Sequence, residues 1–287
     1  MDDSRARYLR QQAELGGGEL YLLGGRPPAE GSASGAEAAA AVPGPAGESA
    51  PAGGRRRDPV PDSAPSPAAA EPPVSKWKKD MPPIPGPGLS VTPPEVGLLG
   101  DEISRADSLE VVSGLIRGCR KCRLCEGRTN TVPGEGNPRA RLMCVGEGPG
   151  ATEDETGRPF VGAAGQLLDQ VLAAIDCPRE SVYIANIIKC RPPQNRKPLP
   201  DEATACLPYL HRQIALVRPR VLLALGGTAA EWLLGVKKSL GDLRGQVHRY
   251  DGIPLVVTYH PAALLRNPNW KKPTWDDVRI ARQLLGD

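Results

Sequence analysis

Aromatic side chains are scarce in this chain: they make up 4 % of its 287 residues, and Phe160 is the only phenylalanine. Rings this sparse cannot furnish a packed core over the whole length, so only part of the chain is expected to fold. Long apolar runs are also missing, and none approaches the roughly 18 residues of a membrane-crossing helix. The opening stretch, MDDSRARYLRQQ, is charged and has no long apolar run behind it. Neither a membrane span nor a secretory leader is expected, and the chain is read as cytoplasmic. No charge of one sign dominates: the net charge is +3, which does not by itself demand nucleic acid. The seven cysteines are odd in number and come with no export signal, which argues against a disulfide framework and for metal or cluster ligation. Phosphate-loop spacing is absent too, because GEGPG lacks both the GxGxxG pattern and a following Gly-Lys-Ser/Thr.

The texture of the chain changes near residue 98. From Arg26 to about Gly97 it is Pro, Ala, Gly, Ser and scattered charge, as in PSPAAAEPPVS. Such a segment buries too little apolar surface to offset its ordering entropy. Residues 1–98 are therefore read as a disordered extension and residues 99–287 as the folded domain. Near the start, RARYLRQQAELGGGELYLLGG reads either as a short helix that docks on a protein partner or as a frayed beginning.

After Leu99, short β-branched apolar runs alternate with helical patterns. RLMCVGE, VYIANII, VLLALGG and PLVVTYH suit strands covered on both faces. AGQLLDQVLAAI, PDEATACLPYLHRQIALV, TAAEWLLG and DDVRIARQLLG carry apolar residues at helical spacing. The alternation predicts a three-layer α-β-α sandwich around a parallel four-stranded sheet. Ligands of such sheets bind at the carboxyl ends of the strands. That rule gathers the loop after Glu147, the strand end at Asn186 and the strand end at His260 into one neighbourhood.

Each of these residues has a bland reading beside a functional one. Phe160 is a hydrophobic plug or a ring that stacks on a flat ligand such as a nucleobase. Asn186 caps a turn or reads a base edge, since its amide donates and accepts side by side. His260 is structural or donates to an oxygen that gains negative charge. CRKCRLC supplies Cys119, Cys122 and Cys125, with Cys190 and Cys206 far downstream. Spacing admits a four-thiolate site of zinc or of an iron–sulfur cluster.

Five ordered blocks, CRKCRLCEGRT, GEGNPRARLMCVGEGPG, TGRPFVGAAGQLL, NIIKCRPPQNRKPLPDE and HPAALLRNP, make residues 107–287 resemble the family 4 uracil-DNA glycosylases, the iron–sulfur branch of that superfamily. The resemblance implies a 4Fe-4S cluster on Cys119, Cys122, Cys190 and Cys206, with Cys125 a non-ligand. It makes Phe160 the uracil-stacking ring, Asn186 the reader of the Watson–Crick edge and His260 the support of the uracil oxygen as the bond breaks. Glu147, Gly148 and Val161 line the pocket. Leu264 is the expected wedge into the vacated base position, and Arg266 positions a phosphate. Catalysis is assigned to His260, Asn186 and Glu147 on uracil-containing DNA, by a monomer. The chain departs from better-known branches at Gly148, where an Asp would position water, and at Gly150, where a Tyr would exclude thymine. The alternatives are a uracil-DNA trapping protein, against which the absence of an insertion or a His near Cys190 counts, and an iron–sulfur docking or redox protein.

Overall fold

The computed structural model describes residues 76–93 and 102–286. The expected docking helix near the start of the chain lies outside the described residues.

Seven strands form one sheet: β1 (Pro87–Val91), β2 (Glu135–Gly136), β3 (Leu142–Gly146), β4 (Tyr183–Asn186), β5 (Val221–Leu225), β6 (Val247–Tyr250) and β7 (Ile253–Thr258). Their order is β1-β6-β7-β5-β3-β4-β2. The middle four, β7, β5, β3 and β4, are mutually parallel, as the four apolar runs predict. The sheet as a whole is wider and mixed, which corrects the four-stranded expectation. β2 pairs antiparallel with β4, β6 antiparallel with β7, and β1 parallel with β6. These additions escaped the pattern because they are short or carry Pro and charge, as edge strands do.

Five longer helices cover the sheet: α1 (Leu109–Arg117), α2 (Ala163–Ala174), α3 (Pro200–Val217), α4 (Gly227–Leu234) and α5 (Lys271–Leu285). The start of α1 is capped by Ser108, whose hydroxyl accepts from the Val111 amide at 3.3 Å. Alternate residues of β3 serve opposite faces, in keeping with the period of two along a strand. Met143 and Val145 pack with Ile116, Leu210, Ile214 and Leu233 from α1, α3 and α4. Leu142 and Cys144 pack with Leu168, Leu172, Val278 and Ala281 from α2 and α5. The three-layer reading thus holds, and Cys144 is a core residue as expected. No helix among the described residues is long and apolar enough to cross a membrane.

Residues 76–93, which composition assigns to the disordered extension, are part of this fold. Trp77 is buried, and its indole N–H donates to Asp176 at 2.6 Å. Arg279 donates to the Lys79 and Asp80 carbonyls at 2.8 and 2.9 Å, and Gln283 to the Pro82 carbonyl at 3.0 Å. His248 accepts from the Leu89 amide at 2.9 Å through Nδ1, which latches β1 to the sheet. Local composition misleads here because all of these partners come from distant parts of the chain.

Candidate active site

Three strand ends and two loops meet at a cavity of about 360 Å³. Its wall includes Glu147, Gly148, Phe160, Asn186, His260 and Arg266, which brings nearly every expected pocket residue to one place. β3 delivers Gly146 and the loop behind it, β4 ends on Asn186, and β7 stops two residues before His260.

Asn186 is 1 % exposed, and its side-chain oxygen has no hydrogen-bond partner among the described residues. Buried carbonyl oxygens are normally paired, so this one is an acceptor with its hydrogen-bonding capacity unspent. Gly146 allows the arrangement: a Cβ there would stand 2.5 Å from both Asn186 Oδ1 and Phe160 Cζ.

The Phe160 ring lies 5.4 Å from the His260 ring, centroid to centroid. Phe160 has φ = 51°, an uncommon conformation for a bulky residue, so its surroundings must hold it there. Two residues do so. Arg179 donates to the Phe160 carbonyl at 3.0 Å and the Pro159 carbonyl at 2.6 Å, and is itself paired with Glu135 and Asp169 at 2.7 and 2.9 Å. Glu153 accepts from the Val161 and Gly162 amides, both at 2.9 Å, and from the Gly150 amide at 3.2 Å. One carboxylate thereby ties the opening loop to the Phe160 loop. Sequence reasoning missed both positioning residues. Glu153 was visible only as one acid in a run, and Arg179 carries no local signal.

His260 caps the short helix Pro261–Arg266: its Nδ1 accepts from the Ala262 amide at 3.1 Å. The proton of the neutral ring is therefore on Nε2. Burial, reinforced by Arg266, pushes the imidazole pKa down to about 4, so the ring is neutral at pH 7. Glu147 borders the cavity and makes no side-chain hydrogen bond among the described residues.

Cys119, Cys122, Cys125, Cys190 and Cys206 line a second, smaller cavity with Arg128, Lys189 and Tyr209. Arg128 donates to Cys190 Sγ at 3.1 Å. Burial raises the Cys122 and Cys190 thiols and pushes Cys206 up to about 12. Among the described residues no group of three or more potential ligands is arranged around a single ion.

The family model for the uracil DNA glycosylase superfamily matches residues 133–281, the span that contains the whole cavity wall. The chain belongs to the uracil-DNA glycosylase superfamily. Within it, the chain is similar to type-4 uracil-DNA glycosylases. That of Sulfurisphaera tokodaii is 46 % identical over 187 residues, covering 62 % of this chain and 85 % of that protein. That of Pyrobaculum aerophilum is 48 % identical over 168 residues, covering 56 % and 86 %. That of Thermotoga maritima is 46 % identical over 186 residues, covering 63 % and 97 %.

Two expected site residues of this glycosylase-superfamily chain are not where their roles require: Val161 does not line the cavity, its amide being tied to Glu153, and Leu264 is not at the surface. Leu264 is 2 % exposed and faces inward, so it is not presented as a wedge. Its neighbour Leu265 is 50 % exposed. The helix Pro261–Arg266 is too short for its periodicity to reveal which leucine turns outward.

Proposed function

We propose that this chain is a DNA-repair glycosylase that hydrolyses the bond between uracil and deoxyribose in DNA, releasing uracil and leaving an abasic site. The observation that carries this reading is the unpartnered, buried Asn186 oxygen beside the Phe160 and His260 rings. A base inside a duplex is out of reach, so it must swing out at a cost of a few kcal/mol. Stacking on Phe160 returns about 1–3 kcal/mol of that. Asn186 Oδ1 accepts from uracil N3–H while Nδ2 donates to O4. Cytosine presents the opposite pattern and leaves buried polar groups unpaired, which rejects it strongly.

As the glycosidic bond breaks, negative charge gathers on the uracil oxygen and the sugar takes on oxocarbenium character. His260 Nε2–H donates to that oxygen. A neutral donor fixed in place stabilises the leaving anion without delivering a proton, and such groups are worth about 10²–10³ in rate. Glu147, with no competing side-chain partner, and the main chain at Gly148 are positioned to hold the attacking water. Val161 acts from behind the wall, its amide held by Glu153 so that the Phe160 loop keeps its course. Leu265 takes the wedge role expected of Leu264, and Arg266, on the cavity wall, contacts phosphate. The enzyme acts as a cytoplasmic monomer on uracil-containing DNA.

Cys119, Cys122, Cys190 and Cys206 fit a 4Fe-4S cluster. Five thiols from two distant segments share one cavity, of which the resemblance sets Cys125 aside, and their spread suits a polynuclear centre better than a single zinc ion. A bound cluster supplies negative charge and a covalent cross-link there. The Arg128 guanidinium would answer the charge, and the cross-link would join the turn bearing Cys119 and Cys122 to Cys190 and to Cys206 within α3.

The test is release of free uracil from a labelled uracil-containing oligonucleotide. The wild type should release it, and an Asn186→Ala, His260→Ala double variant should lose at least about 10³-fold. A wild-type chain that releases none would overturn the assignment.

A further inference from the structure

The segment linking the base-reading residue to the second half of the cysteine centre, Asn186 to Cys190, contains a lysine that none of the chemistry above uses. Lys189 is among the largest fully buried side chains of the protein. Its ammonium donates to the Asn186 main-chain carbonyl at 2.8 Å and to Gln213 Oε1 at 2.7 Å. No carboxylate pairs with it among the described residues. Gln213 is anchored in turn, donating to the Pro133 carbonyl at 2.7 Å. The Lys189 amide donates to Cys206 Sγ at 3.3 Å, and its carbonyl accepts from Val132 at 2.8 Å. Every polar group of this residue is thus committed.

A buried ammonium held only by neutral acceptors and thiols is a costly way to fill space. An apolar side chain of the same size would fill it without the desolvation cost. What the apolar chain would lack is the pair of bonds to the Asn186 carbonyl and to Gln213, and only the first of these acts on the base-reading residue. That bond closes a loop from position 189 back to position 186, just beyond the last ladder contacts of β4. Ile187 and Ile188 donate to Gly146 and Glu147 on one side, and the lysine ties down the other. The peptide that aims the Asn186 side chain is gripped from both.

We propose that Lys189 is the positioning residue for Asn186: through its bond to the Asn186 carbonyl it fixes the direction of the amide that reads the base. This rests on the glycosylase reading of the cavity. A displacement of about 1 Å in such a group costs up to about a hundredfold in rate.

The test is a double-variant cycle on the full-length, cluster-loaded chain, comparing Asn186→Ala, Lys189→Met and the pair. Three quantities are read: kcat/KM for uracil release, affinity for a strand carrying uncleavable 2′-fluoro-deoxyuridine, and visible absorption per chain as a measure of cluster content. Lys189→Met should lose roughly tenfold to a hundredfold in kcat/KM and in affinity at unchanged absorption. Combined with Asn186→Ala it should add less than a factor of about two, because the group it aims is already gone. Losses that multiply, or a Lys189→Met enzyme with wild-type constants, would overturn the proposal. If Lys189→Met does not fold, Gln213→Met removes one of the two acceptors and leaves the lysine in place. Its smaller loss should likewise vanish in the Asn186→Ala background, and a loss that persists there counts against the idea. Failure of the wild type to release uracil would instead strike at the glycosylase reading, so the two failures are distinct.

Discussion

At the scale of single residues, the site depends on protonation states fixed by packing. His260 spends Nδ1 on the Ala262 amide, which leaves the proton of the neutral ring on Nε2. Uracil release should therefore stay nearly level from pH 8 down to about 5 and fall only as the ring titrates near 4. A pH–rate profile with its acid limb near the ordinary 6.5 would show that the ring is not held neutral. Stability follows the same sign. His211 and His260 both have folded values of about 4, below the ordinary 6.5, so the unfolded chain binds protons more readily. The stability they contribute is complete above 6.5 and is lost as the pH falls toward 4. Melting temperatures measured across that window should drop, and replacing His211 with Leu should flatten the slope. Gly146 is the residue with least room to change. Gly146→Ala should abolish uracil release and shift melting by only a few degrees, as circular dichroism beside the excision assay would show. These residues were legible in the sequence to different degrees. Asn186 and His260 stood out because a parallel sheet puts its chemistry at strand ends, and Phe160 because the only phenylalanine lies in a glycine-rich loop. Gly146 did not, since nothing local says that two side chains from elsewhere will lean over it.

At the scale of elements, the short helix Pro261–Arg266 buries one of its two leucines and exposes the other. Leu264→Ala should cost about 2–5 kcal/mol of stability, measurable by urea unfolding, because it empties a filled space. Leu265→Ala should leave unfolding unchanged and weaken duplex binding several-fold in a titration. Swapped outcomes would return the wedge role to Leu264. The sequence could not tell the buried leucine from the exposed one, because six residues give less than two turns of periodicity. The central strands β3, β4, β5 and β7 were readable for the opposite reason: burial on both faces forces continuous apolar runs. β2 and β6 were not readable, being two and four residues long with Glu135, His248 and Arg249 among them.

At the scale of the whole molecule, residues 76–93 change what counts as the domain. A chain that begins at Leu99 loses the buried Trp77 and uncovers the β6 edge. It should melt roughly 10 °C below a chain that begins at Val74, as calorimetry would show. Equal melting temperatures would mean that this segment only decorates the surface. Composition hid it because a proline-rich stretch looks alike whether or not distant partners receive it. The segment also has a consequence for the order of events during synthesis. β1 leaves the ribosome before the strand it pairs with, and Leu89 waits for His248, 159 positions later. At ordinary translation speed that wait is roughly ten to thirty seconds. Trp77 is released as soon as Asp176 is made, but the partners Arg279 and Gln283 come almost at the end. The first of the described residues to be made are thus among the last to find all their partners. The prolines that disguise the segment in the sequence also keep it from pairing with a wrong strand in the meantime.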